Sequence, residues 1–438
     1  MKILILFLTP FVLLGTIVER DTLDNGIVVL TVEAHKIPVI EMRAFVRAGS
    51  VYDPAGKEGL ANIVGSMLLR GTARRSASEI AESIEAVGGV LSSFCREDHV
   101  GLTGKVLSKD LTLLVDLLSD CLCNPVFDSS EFARVKRETV SEIKAMADDP
   151  FEVSNREFRR LVFRDHKLAH MPVGSDTTVR ILARSDAQEY YASRFTPNNT
   201  FLVFVGDFEK DSLLARLNAE FGNWPRKELV FDEPAESVEY EKTVGRIVPM
   251  NISQAYILLG HLGPRYGTPD WLATRLMNYV LGASSMSRIY RMVRSEKGLA
   301  YVAYSYFGRY QNGGYFAAEV QTKKDMAAEA VITLLDAMRF VQDSMGIAEI
   351  IRARNFYTGY FPLTHDSYSE MANLVTQIES EGLGLDYIDR FADDVAQVNL
   401  EQMTEAARKY LKPDRYCLLI VGDLEPEDIA VEGIEWIE

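Results

Sequence analysis

Residues 59–72 have the frame of a metal-binding helix but lack the side chains that would hold the metal. Asn62 and Ser66 lie one helical turn apart, where two histidines would share a zinc ion, and Gly65 occupies the position of a general base. An amide and an alcohol are not usual zinc ligands, and glycine has no side chain to accept a proton. We therefore expect neither zinc binding nor catalysis at this helix.

A second pair of candidate ligands, His166 and His170, has the spacing of two ligands on one helical face. Loop signals flank the pair, with residues 164–165 before it and 171–174, which include Pro172, after it. A helix that would hold both rings in register is therefore not expected, and we interpret the pair as a loop. The remaining histidines are scattered along the chain and are interpreted as structural or surface residues.

The elements around the metal frame form an alternating pattern of strands and helices. The frame itself shows the spacing of a buried helical face, with Gly71 as a stop signal, at Leu60, Ile63, Val64, Met67 and Leu68. Strand patterns occupy residues 27–32, 39–48 and 90–106, and helix patterns begin at Ser76 and cover 110–122 and 129–146. These elements predict a mixed α+β domain of about 200 residues.

The chain contains an internal repeat. Residues 197–209 and 413–425 share Pro, Leu, Val, Gly, Asp and Glu at a constant offset of 216 residues. Such a repeat indicates two copies of one domain. The polar stretch 223–246 is the predicted linker, which places the two domains at 19–222 and 247–438.

Composition excludes several classes of protein. The chain has 438 residues, of which 47% are hydrophobic and 25% charged, as in ordinary globular proteins. Its net charge of −16 disfavours nucleic acid as a partner and is compatible with basic or neutral peptides. The four cysteines do not form a disulfide framework or a zinc site, and we interpret them as ordinary thiols.

The N-terminus predicts export. Lys2 precedes an uncharged run over residues 3–18, which has the length of a signal-peptide core and is short for a membrane span. We interpret residues 1–18 as a signal peptide or N-terminal hydrophobic segment, and expect a bacterial periplasmic or envelope location. An uncleaved anchor and a misjudged start codon are the alternatives.

Residues 59–61 and 67–72, read together, resemble the inverted zinc motif of the pitrilysin or insulinase (M16) family of metallopeptidases. In that family two histidines bind zinc and a glutamate activates water. The corresponding positions here are Asn62, Ser66 and Gly65. The resemblance implies two homologous α+β domains, each a mostly antiparallel sheet with packed helices, which together form half of a clamshell.

Two further regions of the first domain bear on the family pattern. The family's third zinc ligand is a glutamate on a later helix, and counting places it at Glu142 or, one residue off, at Ser141. The family's substrate-binding edge strand commonly begins Gly-Gly-x-x-Asn-Ala, whereas Gly88-Gly89 is followed here by Val-Leu-Ser-Ser. The resemblance thus implies a degenerate zinc site and no metal bound by this chain.

The second domain retains its family signature. Residues 281–301 resemble the segment in which an arginine and a tyrosine seven residues later reach the active site in the other half of the clamshell. Those residues are Arg294 and Tyr301 here. A phenol can donate to the oxyanion of a tetrahedral intermediate, and a guanidinium can hold a peptide carbonyl.

The resemblance implies a non-catalytic subunit of a heterodimeric zinc peptidase. A partner chain with an intact His-x-x-Glu-His motif would supply zinc, while this chain closes the chamber and contributes Arg294 and Tyr301 to unfolded peptide substrates. One alternative is a structural or peptide-binding protein like the cytochrome bc1 core proteins. The other is a self-sufficient enzyme with an unrecognised site.

Overall fold

The computed structural model describes residues 17–230 and 237–437, and in them each half of the chain forms a sheet of six strands covered by helices. The predicted signal segment at residues 1–18 lies almost entirely outside the described residues, as does the part of the predicted linker at 231–236. Among the described helices, none has both the length and the apolar character that a membrane span requires.

The first half begins with strand β1 and ends with helix α8. Its elements are β1 (Glu19–Thr22), β2 (Val28–Glu33), β3 (Val39–Val46), α1 (Leu60–Met67), α2 (Ala77–Glu85), β4 (Val90–Cys95), β5 (Val100–Leu107), α3 (Leu111–Cys123), α4 (Ser129–Ala147), α5 (Pro150–Phe163), α6 (Asp176–Ile181), α7 (Arg184–Arg194), β6 (Thr200–Gly206) and α8 (Lys210–Phe221). The strand order is β1-β2-β6-β3-β5-β4, and β2 and β6 run parallel while the other neighbours are antiparallel.

The second half repeats this arrangement. Its elements are β7 (Val244–Pro249), β8 (Gln254–Leu262), α9 (Trp271–Leu281), a π-helix (Tyr290–Glu296), β9 (Ala300–Tyr310), β10 (Gly313–Lys323), α10 (Ala327–Ser344), α11 (Ile347–Tyr360), α12 (Tyr368–Glu381), α13 (Tyr387–Gln397), α14 (Leu400–Tyr410), β11 (Cys417–Gly422) and β12 (Glu435–Trp436). The strand order is β12-β7-β11-β8-β10-β9. Strands β7 to β11 thus occupy the places of β2 to β6, and the C-terminal strand β12 takes the edge place of β1. The predicted α+β fold with two homologous domains is confirmed.

Local sequence signals explain several of these elements. Helix α2 begins with a capping box, because Ser76 accepts the backbone N–H of Glu79 while the Glu79 side chain accepts the N–H of Ser76. The predicted strand region 90–106 is a hairpin of β4 and β5. Its turn closes where the Arg96 N–H donates to the His99 carbonyl over 2.8 Å.

The two halves exchange one helix each. Helix α5 of the first half packs on β8 and β11 of the second sheet, and α12 of the second half packs on β3 and β6 of the first sheet. The two helices occupy equivalent places in the repeat, since α5 begins at residue 150 and α12 at residue 368, close to the 216-residue offset. Each sheet therefore has the middle of one face covered by a helix of the other half. The predicted domain boundaries at residues 222 and 247 stay a prediction, because this exchange ties the halves together.

Polar contacts fix both exchanged helices. On α5, Glu157 pairs with Arg246 of β7 at 2.9 Å. On α12, the Tyr368 hydroxyl donates to the Ala34 carbonyl at 2.6 Å, and Arg43 of β3 donates to Ser369 at 2.8 Å. The interface between the halves is consequently specified by directional bonds as well as by apolar burial.

Candidate functional site

Helix α1 is anchored at both its core face and its N-terminus. The five apolar residues predicted for the core face are all buried. Asp53 accepts the backbone N–H groups of Gly59 and Ala61, each over 2.8 Å, and so satisfies donors that the first turn of a helix leaves free. Burial raises the pKa of this carboxyl to about 8. The helix is therefore held by packing and by a buried carboxyl group.

The three altered positions of α1 differ in their surroundings. Asn62 and Ser66 are partly exposed, and neither side chain makes a hydrogen bond with any residue that the structure describes. Gly65, which the sequence places with them on the side away from the core, is instead buried. A Cβ at this position would lie 2.9 Å from Cγ1 of Val100 and 3.4 Å from the carbonyl oxygen of Phe94. The β4–β5 hairpin thus fills the space that a longer side chain would need.

Glu142 does not complete a metal site. It lies on α4, which packs against α1, but it is exposed and makes no ion pair within residues 17–230 and 237–437. In the same ranges no three His, Cys, Asp or Glu side chains come together as a metal site would need. An amide, a hydroxyl and one solvated carboxylate do not fit zinc, whose protein sites use three or four His, Cys or carboxylate ligands.

Ser66 lines an open groove beside the edge strand β4. The groove has a volume of about 520 Å³ and lies between α1, α2, α4 and β4, where Ser92 and Ser93 face it. The sequence marked this strand as lacking the asparagine of the family's substrate strand. At the place where the family carries its chemistry, the groove is therefore lined by serines and apolar side chains together with Arg70, Glu131 and Arg134.

Restoring the motif is expected to fail at Gly65. The Gly65→Glu variant should lose about 1–3 kcal/mol in its free energy of unfolding, because Val100 is β-branched and cannot easily yield to an added Cβ. Glycine is unfavourable in a helix by about 1 kcal/mol relative to alanine, so replacing it should by itself raise helix stability. A net loss in the free energy of unfolding would therefore show the packing conflict. Urea unfolding measures the effect. The Asn62→His/Ser66→His variant is the control and should retain wild-type stability, and a Gly65→Glu variant of wild-type stability would contradict the reasoning.

The histidine pair at 166 and 170 lies in a loop, as expected from the flanking residues. Only a 3₁₀ turn, Lys167–Ala169, separates them. His166 uses Nδ1 to accept the backbone N–H of Leu168 at 3.0 Å, while Nε2 of His170 lies 4.0 Å from Glu58. The two rings therefore serve different local contacts.

The structure brings Arg294 and Tyr301 together. Arg294 lies on the π-helix and Tyr301 at the start of β9, and the guanidinium carbon is 4.3 Å from the centroid of the Tyr301 ring. Tyr301 is 78% exposed, an unusual state for a tyrosine on a strand. The pair thus places an exposed phenol beside a partly exposed arginine, as a site for a carbonyl or an oxyanion would require.

The π-helix that carries Arg294 is anchored to other elements of the second half. Arg288, which precedes it, makes two hydrogen bonds to the carboxylate of Glu349 on α11, at 2.9 and 2.7 Å. Val293 is fully buried, and its carbonyl accepts the N–H of Leu299 at 2.8 Å. π-Helical turns are rare and occur often at functional sites. The backbone that carries Arg294 is therefore held in place by these contacts.

The sequence did not identify Tyr290, whose ring is a second aromatic contact of Arg294. The guanidinium carbon is 4.9 Å from the centroid of the Tyr290 ring. The spacing of four residues between Tyr290 and Arg294 was a usable signal, since such residues share a face of a helix.

Comparison with known proteins gives the class of the molecule. An uncharacterized zinc protease of Bacillus subtilis, YmxG, is 24% identical over 412 residues, covering 92% of this chain and 98% of the relative. An uncharacterized zinc protease of Mycobacterium tuberculosis is 28% identical over 415 residues, covering 92% and 93%. The chain is similar to bacterial zinc proteases over nearly its whole length.

Solved structures share the fold. A peptidase M16 inactive domain from Pseudomonas fluorescens superposes with a TM-score of 0.86 at 22% identity, covering 96% of this chain and 100% of that one. A protease from Helicobacter pylori gives a TM-score of 0.85 at 18% identity, covering 93% and 99%. The chain thus shares its overall fold with both of these structures.

Family models identify the family. Residues 28–173 match the model described as insulinase (peptidase family M16), and residues 182–357 match the peptidase M16 inactive domain. The chain belongs to the M16 peptidase family.

Proposed function

We propose that this chain is the non-catalytic subunit of a heterodimeric M16 zinc peptidase. The observation that carries the proposal is the contrast between the two halves. The first half has Asn62, Gly65 and Ser66 where the family has its zinc and base residues. The second half holds a partly exposed Arg294 in contact with the exposed Tyr301. A chain that had lost all function would have no need to keep this pair at the surface.

The chemistry of the pair suits the transition state of peptide hydrolysis. The Tyr301 hydroxyl makes no hydrogen bond with another described residue, so its O–H is available to donate to an oxyanion. The Arg294 guanidinium carries several N–H donors and can hold a neighbouring carbonyl oxygen. Zinc and the base that activates water would come from a partner chain with an intact His-x-x-Glu-His motif.

Reconstitution tests the proposal. The purified chain alone is expected to show no hydrolysis of an unstructured fluorogenic peptide and to contain no stoichiometric zinc by metal analysis. Co-expression with an M16 homologue that carries the intact motif is expected to give a heterodimer that hydrolyses the peptide and loses activity with a chelator.

Other outcomes of this experiment would select other functions. A stable complex that contains no zinc-bearing homologue would favour a scaffold. Chelator-sensitive hydrolysis by the isolated chain would contradict the proposal and show that the chain has a site of its own. A bacterial periplasmic or envelope location is part of the proposal, and fractionation of the native cells tests it.

A further inference from the structure

Arg294 lies over two aromatic rings. Tyr290 and Tyr301 place their ring centroids 4.9 and 4.3 Å from the guanidinium carbon, both within the distance at which a cation interacts with an aromatic face. Tyr290 lies one turn before Arg294 on the π-helix, and Tyr301 follows the turn at Gly298, whose φ of +63° favours glycine. We call these three side chains the aromatic clamp.

No acidic side chain holds Arg294. Within residues 17–230 and 237–437 its guanidinium makes neither an ion pair nor a hydrogen bond. The neighbouring cations do have carboxylate partners, since Arg291 pairs with Glu296 at 3.0 Å and Lys297 with Glu329 at 3.2 Å. Arg309 also lies over an aromatic ring, yet it pairs with Glu381 at 2.6 Å. Arg294 is thus held through its ring contacts, while its N–H edge stays free.

We infer that Tyr290 is a positioning residue, which keeps Arg294 extended against Tyr301 so that the N–H edge can bind a carbonyl or carboxylate oxygen of a peptide. This inference deepens the proposed function and, for its ligand, rests on it. An arginine side chain has many rotamers, and holding one of them for a ligand has an entropic cost. Aromatic contacts reduce this cost without neutralising the charge, whereas a carboxylate partner would compete with the ligand for the same donors.

The clamp can be tested without any enzymatic activity. NMR of the arginine-labelled full chain observes the side-chain Nε–Hε group of Arg294, and loss of one signal in Arg294→Lys assigns it. The Tyr290→Leu variant is expected to shift this signal toward the position of exposed arginines, and Tyr290→Phe to leave it unshifted. Tyr360→Leu, at another exposed tyrosine of the second half, is the control and should leave it unshifted. An unchanged signal in Tyr290→Leu would overturn the inference, as would a shifted one in Tyr290→Phe.

Peptide binding tests the consequence. The probe is a fluorescein-labelled unstructured peptide, made with a free and with an amidated C-terminus, and the measurement is its anisotropy on titration with the chain. Tyr290→Leu is expected to weaken binding about tenfold, while Tyr290→Phe retains it. Binding of both peptides indicates a backbone carbonyl as the ligand, and binding of the free acid alone indicates its carboxylate.

Failure of the proposed function and failure of the positioning role of Tyr290 give different results. If the wild-type chain binds neither peptide, the peptide contact of the proposed function is wrong and so is the ligand inferred here, while the NMR signal still decides whether Tyr290 positions Arg294. If peptides bind and Tyr290→Leu binds them as tightly as wild type, Tyr290 has no positioning role for the ligand.

Discussion

Replacing Tyr301 with phenylalanine is expected to lower kcat/KM of the reconstituted heterodimer about 10²-fold, with most of the loss in kcat. The substitution removes one hydroxyl group and leaves the ring, so the stacking on Arg294 over 4.3 Å is preserved. Donation to an oxyanion is strongest in the transition state, and its loss therefore slows the reaction more than it weakens substrate binding. Steady-state kinetics with the fluorogenic peptide measures the effect.

Arg294→Ala is expected to reduce kcat/KM by a similar factor, with a larger share in KM, because a carbonyl contact also operates in the ground state. Two matched controls separate this effect from general damage to the second half. Arg291→Ala removes a neighbouring exposed arginine that pairs with Glu296, and Tyr360→Phe removes an exposed hydroxyl on α11. Both controls should keep wild-type kinetics. Full activity in Tyr301→Phe and Arg294→Ala, with the heterodimer intact, would refute a role at the partner's site.

Arg309→Met is expected to cost about 3–5 kcal/mol in the free energy of unfolding. Arg309 of β9 and Glu381 at the end of α12 form a buried ion pair at 2.6 Å, with side chains 6% and 5% exposed. Removing the arginine leaves the Glu381 carboxylate buried, with Gln377 as its remaining hydrogen-bond donor among the described residues. Urea unfolding of the full chain measures the loss.

A double-mutant cycle shows where the cost arises. Arg309→Met/Glu381→Met should recover much of the stability, because the damage comes from a lone buried charge and less from the loss of the attraction itself. Arg339→Met is the matched control, since its pair with Asp414 is 46% and 86% exposed and should contribute less than about 1 kcal/mol. A small loss in Arg309→Met would show that water reaches Glu381 from the adjoining cavity of about 570 Å³ between β9, α12 and the β4–β5 hairpin.

This ion pair connects the fold to the proposed site. Strand β9 begins next to Tyr301 and ends at Arg309 and Tyr310, while α12 carries Glu381 and lies on the sheet of the other half. An ordered junction between α12 and β9 thus fixes the strand that presents Tyr301 relative to the whole chain. The kinetic prediction for Tyr301 and the stability prediction for Arg309 thus test the two ends of strand β9.

Much of the fold could be predicted from local signals. The capping box at Ser76 and the apolar spacing of α1 act within one or two turns, so their outcome depends little on the rest of the chain. The repeat at an offset of 216 residues predicted two copies of one domain, and the equivalent strand orders of the two sheets confirm it. The exchange of α5 and α12 was not predictable in this way, because a helix pattern does not specify which of two similar sheets it covers.

The sequence by itself determined that residues 59–72 carry no usual zinc ligand pair and no base. The chemistry of an amide, a hydroxyl and a hydrogen atom at positions 62, 66 and 65 is the same in any fold. Only the tertiary structure decided that Val100 occupies the space beside Gly65 and that the Tyr290 ring lies within 4.9 Å of the Arg294 guanidinium carbon. These features depend on how side chains from separate elements approach one another within a few ångströms, and such distances are set by packing, which residue types and spacing do not specify.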